Sequence, residues 1–396
     1  MPLDDPETGV KPGQVVMPAL RVLHVAAPGP TGGLESVVQA LAVGHHARGV
    51  AAEVAAVIHG HGPDHPFLEP LREAGVPVHP VYLTPRAYLR ERREVARVIR
   101  ERMPHLVHTH GQRPDILHAG LARRQGIPTV TTIHGSSRPA WERDRYGWLH
   151  NRLLRRFDAV IPVAGSLVPG LLEAGVRQDR IHVVPNARDD RLRPLPRTEA
   201  RRVLGLTGEA FVLGWIGRLI PIKGPDIFME ALALLGDVQF SVSIVGDGPE
   251  LPRLRTMADR AGIQDRIRFH GRVDGAGRVM AAFDAFVLSS RSEGSPMVLF
   301  EAMAAGVPIV AARVGGVPDT VSDEEAVLVT PEDPAELAAR LRDVVQGKLD
   351  LETRAARASQ RLEADFGMDQ WLARHEEIYQ IVARTAPTHA PRHLRR

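Results

Sequence analysis

The sequence predicts an α/β protein of two similar domains, each a parallel sheet covered by helices, facing a central cleft. Three observations predict it. Short β-branched runs alternate with longer amphipathic stretches, the pattern of strand–helix–strand units. The alternation lapses over residues 185–209 and then restarts, and 396 residues exceed what one hydrophobic core ordinarily organises. Glycine and proline punctuate nearly every junction, and in such sheets the strand-to-helix loops carry the ligands. Each half therefore reads as Rossmann-like.

In the first half, residues 21–26 read as a strand, 34–44 as a helix and 54–58 as a strand. A helix over 88–102 is apolar at Leu89, Val95, Val98 and Ile99. Strands follow over 106–109, 129–133 and 159–163. Residues 185–209, rich in Arg and Pro and without a clear period, read as the interdomain linker. The second half offers strands over 211–216, 240–245, 266–269, 285–288 and 308–311, and a helix over 225–235. An amphipathic helix over 369–382 carries Trp371, Leu372, Ile378 and Tyr379. The expected division is a loose leader at 1–19, an N-terminal domain at 20–187 and a linker at 188–209. A C-terminal domain at 210–368, a last helix at 369–384 and a frayed tail at 385–396 follow.

Composition narrows the function. Apolar residues at 44% and charged residues at 24% describe a folded globular chain. The absence of cysteine excludes disulfides, thiolate nucleophiles and Cys-zinc sites, and fits a reducing, cytoplasmic setting. The acidic start, with Asp4, Asp5 and Glu7, is unlike a signal peptide. The longest apolar stretch, 296–317, is interrupted by Glu301, Pro308 and Arg313, which suits a buried helix and strand and not a membrane span. Net charge is only +3, yet residues 83–160 hold sixteen arginines against seven acids. Such a basic region suits anionic lipid or a phosphorylated acceptor. With ten Phe, four Trp and four Tyr in the whole chain, nucleic acid is not an expected partner.

Three loops carry chemistry. The first, Thr31-Gly32-Gly33-Leu34-Glu35, follows the first strand. Its glycines admit a ligand to the backbone, and the following helix points its positive end there. A tight turn alone would need the same glycines. The second runs from Gly214 to Gly224 and holds Arg218 and Lys223, a fork and a point charge suited to a diphosphate. The third is Glu293-Gly294-Ser295-Pro296-Met297-Val298-Leu299-Phe300-Glu301. Ser295 reads as a helix N-cap and Pro296 as the first helical residue, leaving amide groups at Met297 and Val298 for phosphate or sugar. Glu301 falls in an apolar run, where a carboxylate needs partners; a ribose diol or a neighbouring Arg would supply them.

These residues resemble the large GT-B family of retaining glycosyltransferases called family 4, or group 1. The resemblance rests on the two glutamates seven residues apart, Gly-Arg-Leu-x-x-x-Lys-Gly upstream and Gly-Gly-Leu-Glu near the start, and covers about residues 20–384. It implies two Rossmann-like domains, the N-terminal one binding acceptor and the C-terminal one a nucleotide-sugar donor, with the last helix crossing back. It implies that Arg218 and Lys223 hold the diphosphate, that Glu301 takes the ribose hydroxyls and that Glu293 lies against the sugar. Backbone from Gly294 to Leu299, including Ser295, Pro296, Met297 and Val298, would contact sugar and phosphate, with Gly32 and Gly33 approaching from the other domain. The strand end at Gly271 resembles the base-contacting segment. His134, after a strand and before Gly135, resembles the active-site histidine, while His110 and Arg113 lie on the acceptor side. One departure is Asn186-Ala187-Arg188-Asp189, where the family shows Asn-Gly.

Sugar transfer needs something cationic to absorb charge on the departing diphosphate. No Asp-x-Asp metal motif occurs in the sequence. Arg218, Lys223 and the helix ends at Gly33 and Pro296 are the expected substitutes, so the chemistry is expected to need neither metal nor other cofactor. The resemblance implies retention of configuration, with His134 orienting groups and Glu293 in the catalytic set. Arg90, Arg93, Arg97 and Arg100, with Trp141, Tyr146, Trp148 and Leu149 among Arg138, Arg143, Arg145 and Arg152, suit a peripheral contact with the inner face of a membrane. The acceptor would then be a lipid-linked or phosphorylated sugar. Rival readings are a sugar-phosphate synthase, a nucleotide-sugar epimerase, an oxidoreductase built on Gly246-Asp247-Gly248-Pro249-Glu250, and a binding protein without catalysis.

Overall fold

The computed structural model describes residues 20–385, apart from residues 31, 61, 85, 136–144, 189–192, 209 and 237 and the side chains of Arg145 and Tyr146. Thr31, Arg138, Trp141, Arg143, Asp189, the leader at 1–19 and the tail beyond residue 385 thus lie outside the described residues.

The N-terminal sheet consists of β1 (Arg21–Ala26), β2 (Ala51–His59), β3 (Val78–Leu83), β4 (Leu106–His110), β5 (Thr129–Ile133) and β6 (Ala159–Pro162). Its order is β3-β2-β1-β4-β5-β6, all parallel. The helices of this half are α1 (Gly33–Ala47), α2 (Glu69–Glu73), α3 (Tyr88–Arg102), α4 (Gln112–Leu117), α5 (Ala119–Arg124), α6 (Arg145–Leu154) and α7 (Val168–Glu173). The central strands are apolar almost throughout because helices bury both faces. The outermost strand, β3, escapes the sequence pattern because Pro80 and His79 dilute its signal, which an edge strand tolerates.

The segment read as an irregular linker contains a helix, α8 (Arg197–Val203). Ala200 and Leu204 join the core of the second domain, and the helix's arginines add the anchor: Arg197 and Arg201 both pair with Asp284 and donate to carbonyls near the end of the 276–282 segment. Periodicity could not find a helix anchored by charge.

The second sheet repeats the first topology. Strands β7 (Val212–Ile216), β8 (Ser241–Val245), β9 (Ile267–Gly271), β10 (Ala285–Leu288), β11 (Ile309–Ala312) and β12 (Ala326–Val329) stand in the order β12-β11-β10-β7-β8-β9. Its helices are α9 (Pro225–Ala233), α10 (Leu251–Ala261), α11 (Met297–Ala304), α12 (Val317–Thr320), α13 (Pro334–Val345) and α14 (Leu351–Asp365). Trp215, Phe228, Phe283, Phe286 and Phe300 fill its core. In each sheet the strand order reverses between the first and fourth strands, and the crevice beyond that reversal is where such folds bind ligands.

The last helix, α15 (Met368–Thr385), returns to the N-terminal half. Its Trp371, Leu372, Ile378, Tyr379 and Val382 share one core with Val22, Leu41, Leu106 and Val130. Gly44 of α1 makes the close approach possible, since a Cβ there would lie 2.6 Å from Leu372 Cδ1. Arg48 pins the same contact by pairing with Glu376 and Asp369. One expectation for α3 fails: Leu89 is 77% exposed, and the buried position facing inward is Glu91, held by Arg113 and His118.

Candidate active site

The C-terminal side of the cleft is built around a buried carboxylate. Glu293 follows β10 and accepts from Lys223 Nζ at 2.8 Å to both oxygens, and from Ser290 Oγ at 2.6 Å. Its side chain is 6% exposed, so the ion pair compensates a charge that would otherwise be costly. Lys223 is positioned by the turn into α9. Gly224 has φ of 60°, and a Cβ there would fall 1.9 Å from Ser289 O. Ser289 Oγ donates to Gly224 O at 2.7 Å and accepts from Trp215 Nε1 at 3.2 Å, fixing both loops to the core. Arg218 shares the Lys223 loop but is exposed, with no ion-pair partner among the described residues. The Gly246 to Glu250 loop underlies it: a Cβ on Gly246 would lie 1.8 Å from Gly217 O, and one on Gly248 2.3 Å from Leu219 O.

Ser295 does not cap α11. The helix begins at Met297, and Pro296 is its cap residue with no side-chain hydrogen bond. Ser295 is held elsewhere, accepting at Oγ from Asn186 N at 3.2 Å, while Asn186 Nδ2 donates to Ser295 O at 3.0 Å. The amide groups of the first turn of α11, around Met297, Val298 and Leu299, therefore have no side-chain cap and face the cleft end of the helix. One turn on, Glu301 lies against the backbone of Gly277, where a Cβ would come 2.3 Å from its carboxyl carbon.

The N-terminal side meets this loop backbone to backbone. Gly135, with φ of 101°, follows His134, and a Cβ on it would lie 3.1 Å from Gly294 N. A Cβ on Gly294 would lie 2.3 Å from His134 O. Gly315 and Gly316 close on the other side of the same loop, where added Cβ atoms would lie 1.9 Å from Glu293 O and 1.8 Å from Gly294 O. The Gly32-Gly33 turn starts α1, also without a side-chain cap, and Gly33 faces Met297 across the cleft. Glu35 braces that turn by accepting from Gly29 N at 2.7 Å. The structure thus brings Gly33, His134, Lys223, Glu293 and the start of α11 to one place. Gly271 ends β9 with φ of 66° and accepts from Gly246 N at 2.8 Å.

His110 and Arg113 do not open onto the cleft as expected. His110 is 1% exposed, with Nε2 3.0 Å from His24 Nδ1, because β4 turns residues 108 and 110 to the face covered by α1 and α15. Arg113 is a fork on Glu91, stacked over Tyr88 at 4.9 Å. Although burial pushes the Glu91 carboxyl up, hydrogen bonds from His118 and Arg113 hold it down at about 2. Burial pushes His134 down to about 4, with His375 adding to the shift, so its imidazole is neutral at pH 7. His24 falls to about 3 and His375 to about 4 for the same first reason. Nitrogens of His24, His108 and His110 lie within 4.8 Å of one another, close enough to suit a metal. Both nitrogens of His108 bond to Tyr379 and Thr132, while His24 Nδ1 meets His110 Nε2 and the other ring nitrogens of His24 and His110 are buried without a hydrogen-bond partner. Residue-by-residue reading missed His24, His45, His375 and Tyr379; no local motif marks them, because they meet only across the sheet–helix interface.

The basic face is partly neutralised within itself. Arg97 pairs with Glu94 and Glu101, while Arg90, Arg93 and Arg100 are exposed. Trp148 is 66% exposed with Arg152 over its ring at 5.7 Å. No described helix is long and apolar enough to cross a membrane.

Comparison with known proteins decides the family. The sequence family of group 1 glycosyl transferases matches residues 210–347, and Glycosyltransferase Family 4 matches residues 31–192. The chain belongs to the family 4, group 1 glycosyltransferases. D-inositol 3-phosphate glycosyltransferase of Geodermatophilus obscurus is 40% identical over 186 residues, covering 43% of this chain and 41% of that one. The Saccharomonospora viridis protein of the same name is 33% identical, covering 60% and 56%. N-acetyl-alpha-D-glucosaminyl L-malate synthase of Bacillus anthracis is 26% identical, covering 70% and 75%. The chain thus spans about half the length of the first two relatives. Anabaena Alr3699/HepE in complex with UDP-glucose has the same fold, with a TM-score of 0.80 over 92% of this chain and 100% of that one, at 24% identity. Sucrose-phosphate synthase from Thermosynechococcus elongatus shares it too, with a TM-score of 0.77 at 20% identity over 92% and 100%. These likenesses establish the GT-B fold for this member of the family.

Proposed function

We propose that this glycosyltransferase moves a hexose from a UDP-sugar to a small polar acceptor bearing an anionic group, with retention of configuration and without a metal. The observation that carries the reading is the seating of the Glu293-Gly294 backbone, just before the uncapped start of α11 and with Lys223 paired to Glu293, directly against the His134–Gly135 turn of the other half. Lys223, Arg218 and the amide groups at Met297 and Gly33 take the negative charge that grows on the departing diphosphate. Glu293 lies beside the transferred sugar, and Glu301 receives the ribose hydroxyls. Neutral His134 orients sugar hydroxyls without adding a cation that would oppose the oxocarbenium-like transition state. The acceptor attacks from the face the diphosphate leaves, and a leaving phosphate oxygen accepts its proton.

The acceptors named for the relatives, an inositol phosphate and malate, favour a soluble anionic acceptor over a lipid-linked one. The exposed Trp148 with Arg152 favours a second contact, with anionic membrane at the cytoplasmic surface. The test is product analysis with UDP-, GDP- and ADP-glucose and with UDP-N-acetylglucosamine, offered inositol 3-phosphate or malate. A product with an α-linked sugar, formed from a UDP donor alone, is the expected result. Bound donor that is never transferred would end the reading. Flotation with phosphatidylserine vesicles tests the membrane contact, and Trp148→Ala is expected to weaken it.

A further inference from the structure

The sheet face that meets α1 and α15 carries a polar seam. His24 on β1, His108 and His110 on β4 and Thr132 on β5 share it, because alternate residues of a strand face one way and the strands pair in register. His134, two residues beyond Thr132, continues the same row to the cleft. The helices answer with His45 from α1 and with His375 and Tyr379 from α15. Tyr379 is fully buried, with its hydroxyl 2.7 Å from His108 Nδ1. His108 Nε2 lies 2.8 Å from Thr132 Oγ1. His110 stacks obliquely on His108 with centroids 4.1 Å apart, and its ring lies 5.9 Å from that of His134.

We propose that Tyr379 is a positioning residue for sugar transfer: its hydroxyl fixes His108 and, through Thr132, the end of β5 that delivers His134 to the cleft. The inference rests on the transferase reading above. Adhesion alone does not account for the seam. Trp371, Leu372, Ile378 and Val382 already fasten α15 to the sheet by apolar burial. Hydrogen bonds from a buried hydroxyl to an imidazole add direction, since each group is costly unless its partner stands at one angle and distance. The segment carrying Tyr379 also touches the donor side. On α14, Ser359 Oγ donates to Met303 O of α11 at 2.7 Å, and Phe366 packs on Phe300 with centroids 4.9 Å apart. One stretch of chain thus braces the helix that bears Glu301 and, a few turns later, His108 of β4, whose other nitrogen meets Thr132 two residues before His134.

Tyr379→Phe keeps the ring and removes only the hydroxyl; Thr132→Val cuts the same path from the sheet side. With the transfer assay above, each variant is expected to lose roughly tenfold or more in kcat, as small misplacements at a reacting centre do. The donor KM should stay within about twofold, because Lys223 and α11 are untouched. The ring-nitrogen NMR signals of His134 should shift in both variants, and the double variant should lose no more than the worse single one. A merely structural role would lower the melting temperature and leave these readouts alone. Wild-type kcat with unmoved His134 signals in both variants overturns the proposal, as does full additivity of the two losses. If Tyr379→Phe does not fold, Thr132→Val decides alone. If the wild-type chain transfers no sugar, the transferase reading falls, and the His134 signals still decide whether Tyr379 positions that ring.

Discussion

At the residue scale the two cations expected to meet the diphosphate are not equivalent. Arg218 is exposed and has no ion-pair partner among the described residues, whereas Lys223 neutralises the buried Glu293. Replacing Arg218 by Ala is expected to lower kcat/KM by about 100- to 1000-fold and to leave the urea midpoint unchanged, because the loss falls only on the charged transition state. Lys223→Ala should lose at least as much activity and also about 1–3 kcal/mol of stability, because Glu293 is left buried without its charge partner. Paired kinetics and urea titrations check both, and equal stability losses would contradict the ion-pair argument. Gly294 gives a third case. A Cβ there meets His134 O at 2.3 Å, a backbone atom that cannot swing aside. Gly294→Ala should therefore push the halves apart and abolish transfer, with donor affinity by calorimetry falling too. The motif residues were legible in the sequence because each sits at a strand end beside glycine or proline. The pairing of Lys223 with Glu293 was not, because seventy residues separate them and either could have met solvent or ligand.

At the scale of elements, strands buried on both faces and helices with one regular apolar stripe announced themselves, as β1, β5 and α15 show. Among what escaped, α8 is held largely by its arginines and β3 stands at the rim of its sheet, while α10, α13 and α14 bury apolar stripes outside the predicted elements. The polar seam under α15 was also illegible, since an isolated histidine in an apolar run carries no sign of its partners. That seam has a consequence for pH. His24, His45, His108, His110, His134 and His375 are all lowered, chiefly by burial, and mutual repulsion would oppose charging more than one. Arg48 facing His45 opposes it further, and Glu376 near Tyr379 is spent on Arg48. The folded state thus binds fewer protons than the unfolded chain below pH 6.5. Stability is complete above that value and is lost as pH falls toward 4, each histidine contributing up to about 1.4 kcal/mol per pH unit. The melting temperature followed by circular dichroism should drop steeply between pH 6.5 and 5, and a flat profile would show that these rings are not buried neutral.

At the scale of the whole molecule, two copies of one sheet topology turn their strand-order reversals toward a shared crevice, and the chain closes that arrangement by sending α15 back across it. The halves touch through glycines, Gly33, Gly135, Gly294 and Gly316, so little side-chain volume stands between them and a pyrophosphate can be wrapped by backbone amide groups from both sides. Two uncapped helix starts, α1 and α11, stand at this meeting, with Lys223 beside Glu293. In the transfer proposed above, these groups take the electrostatic role that a divalent ion plays where an acidic pair holds one. The sequence offers no Asp-x-Asp to hold it. Glu293, the buried carboxylate nearest the site, is already matched by Lys223 and Ser290, leaving it a poor ligand. Transfer from a UDP-sugar should therefore proceed at the same rate in EDTA as in magnesium or manganese. A rate that collapses in EDTA and returns with added metal would show that fixed protein charge is insufficient, and would move Glu293 from sugar contact to metal ligation.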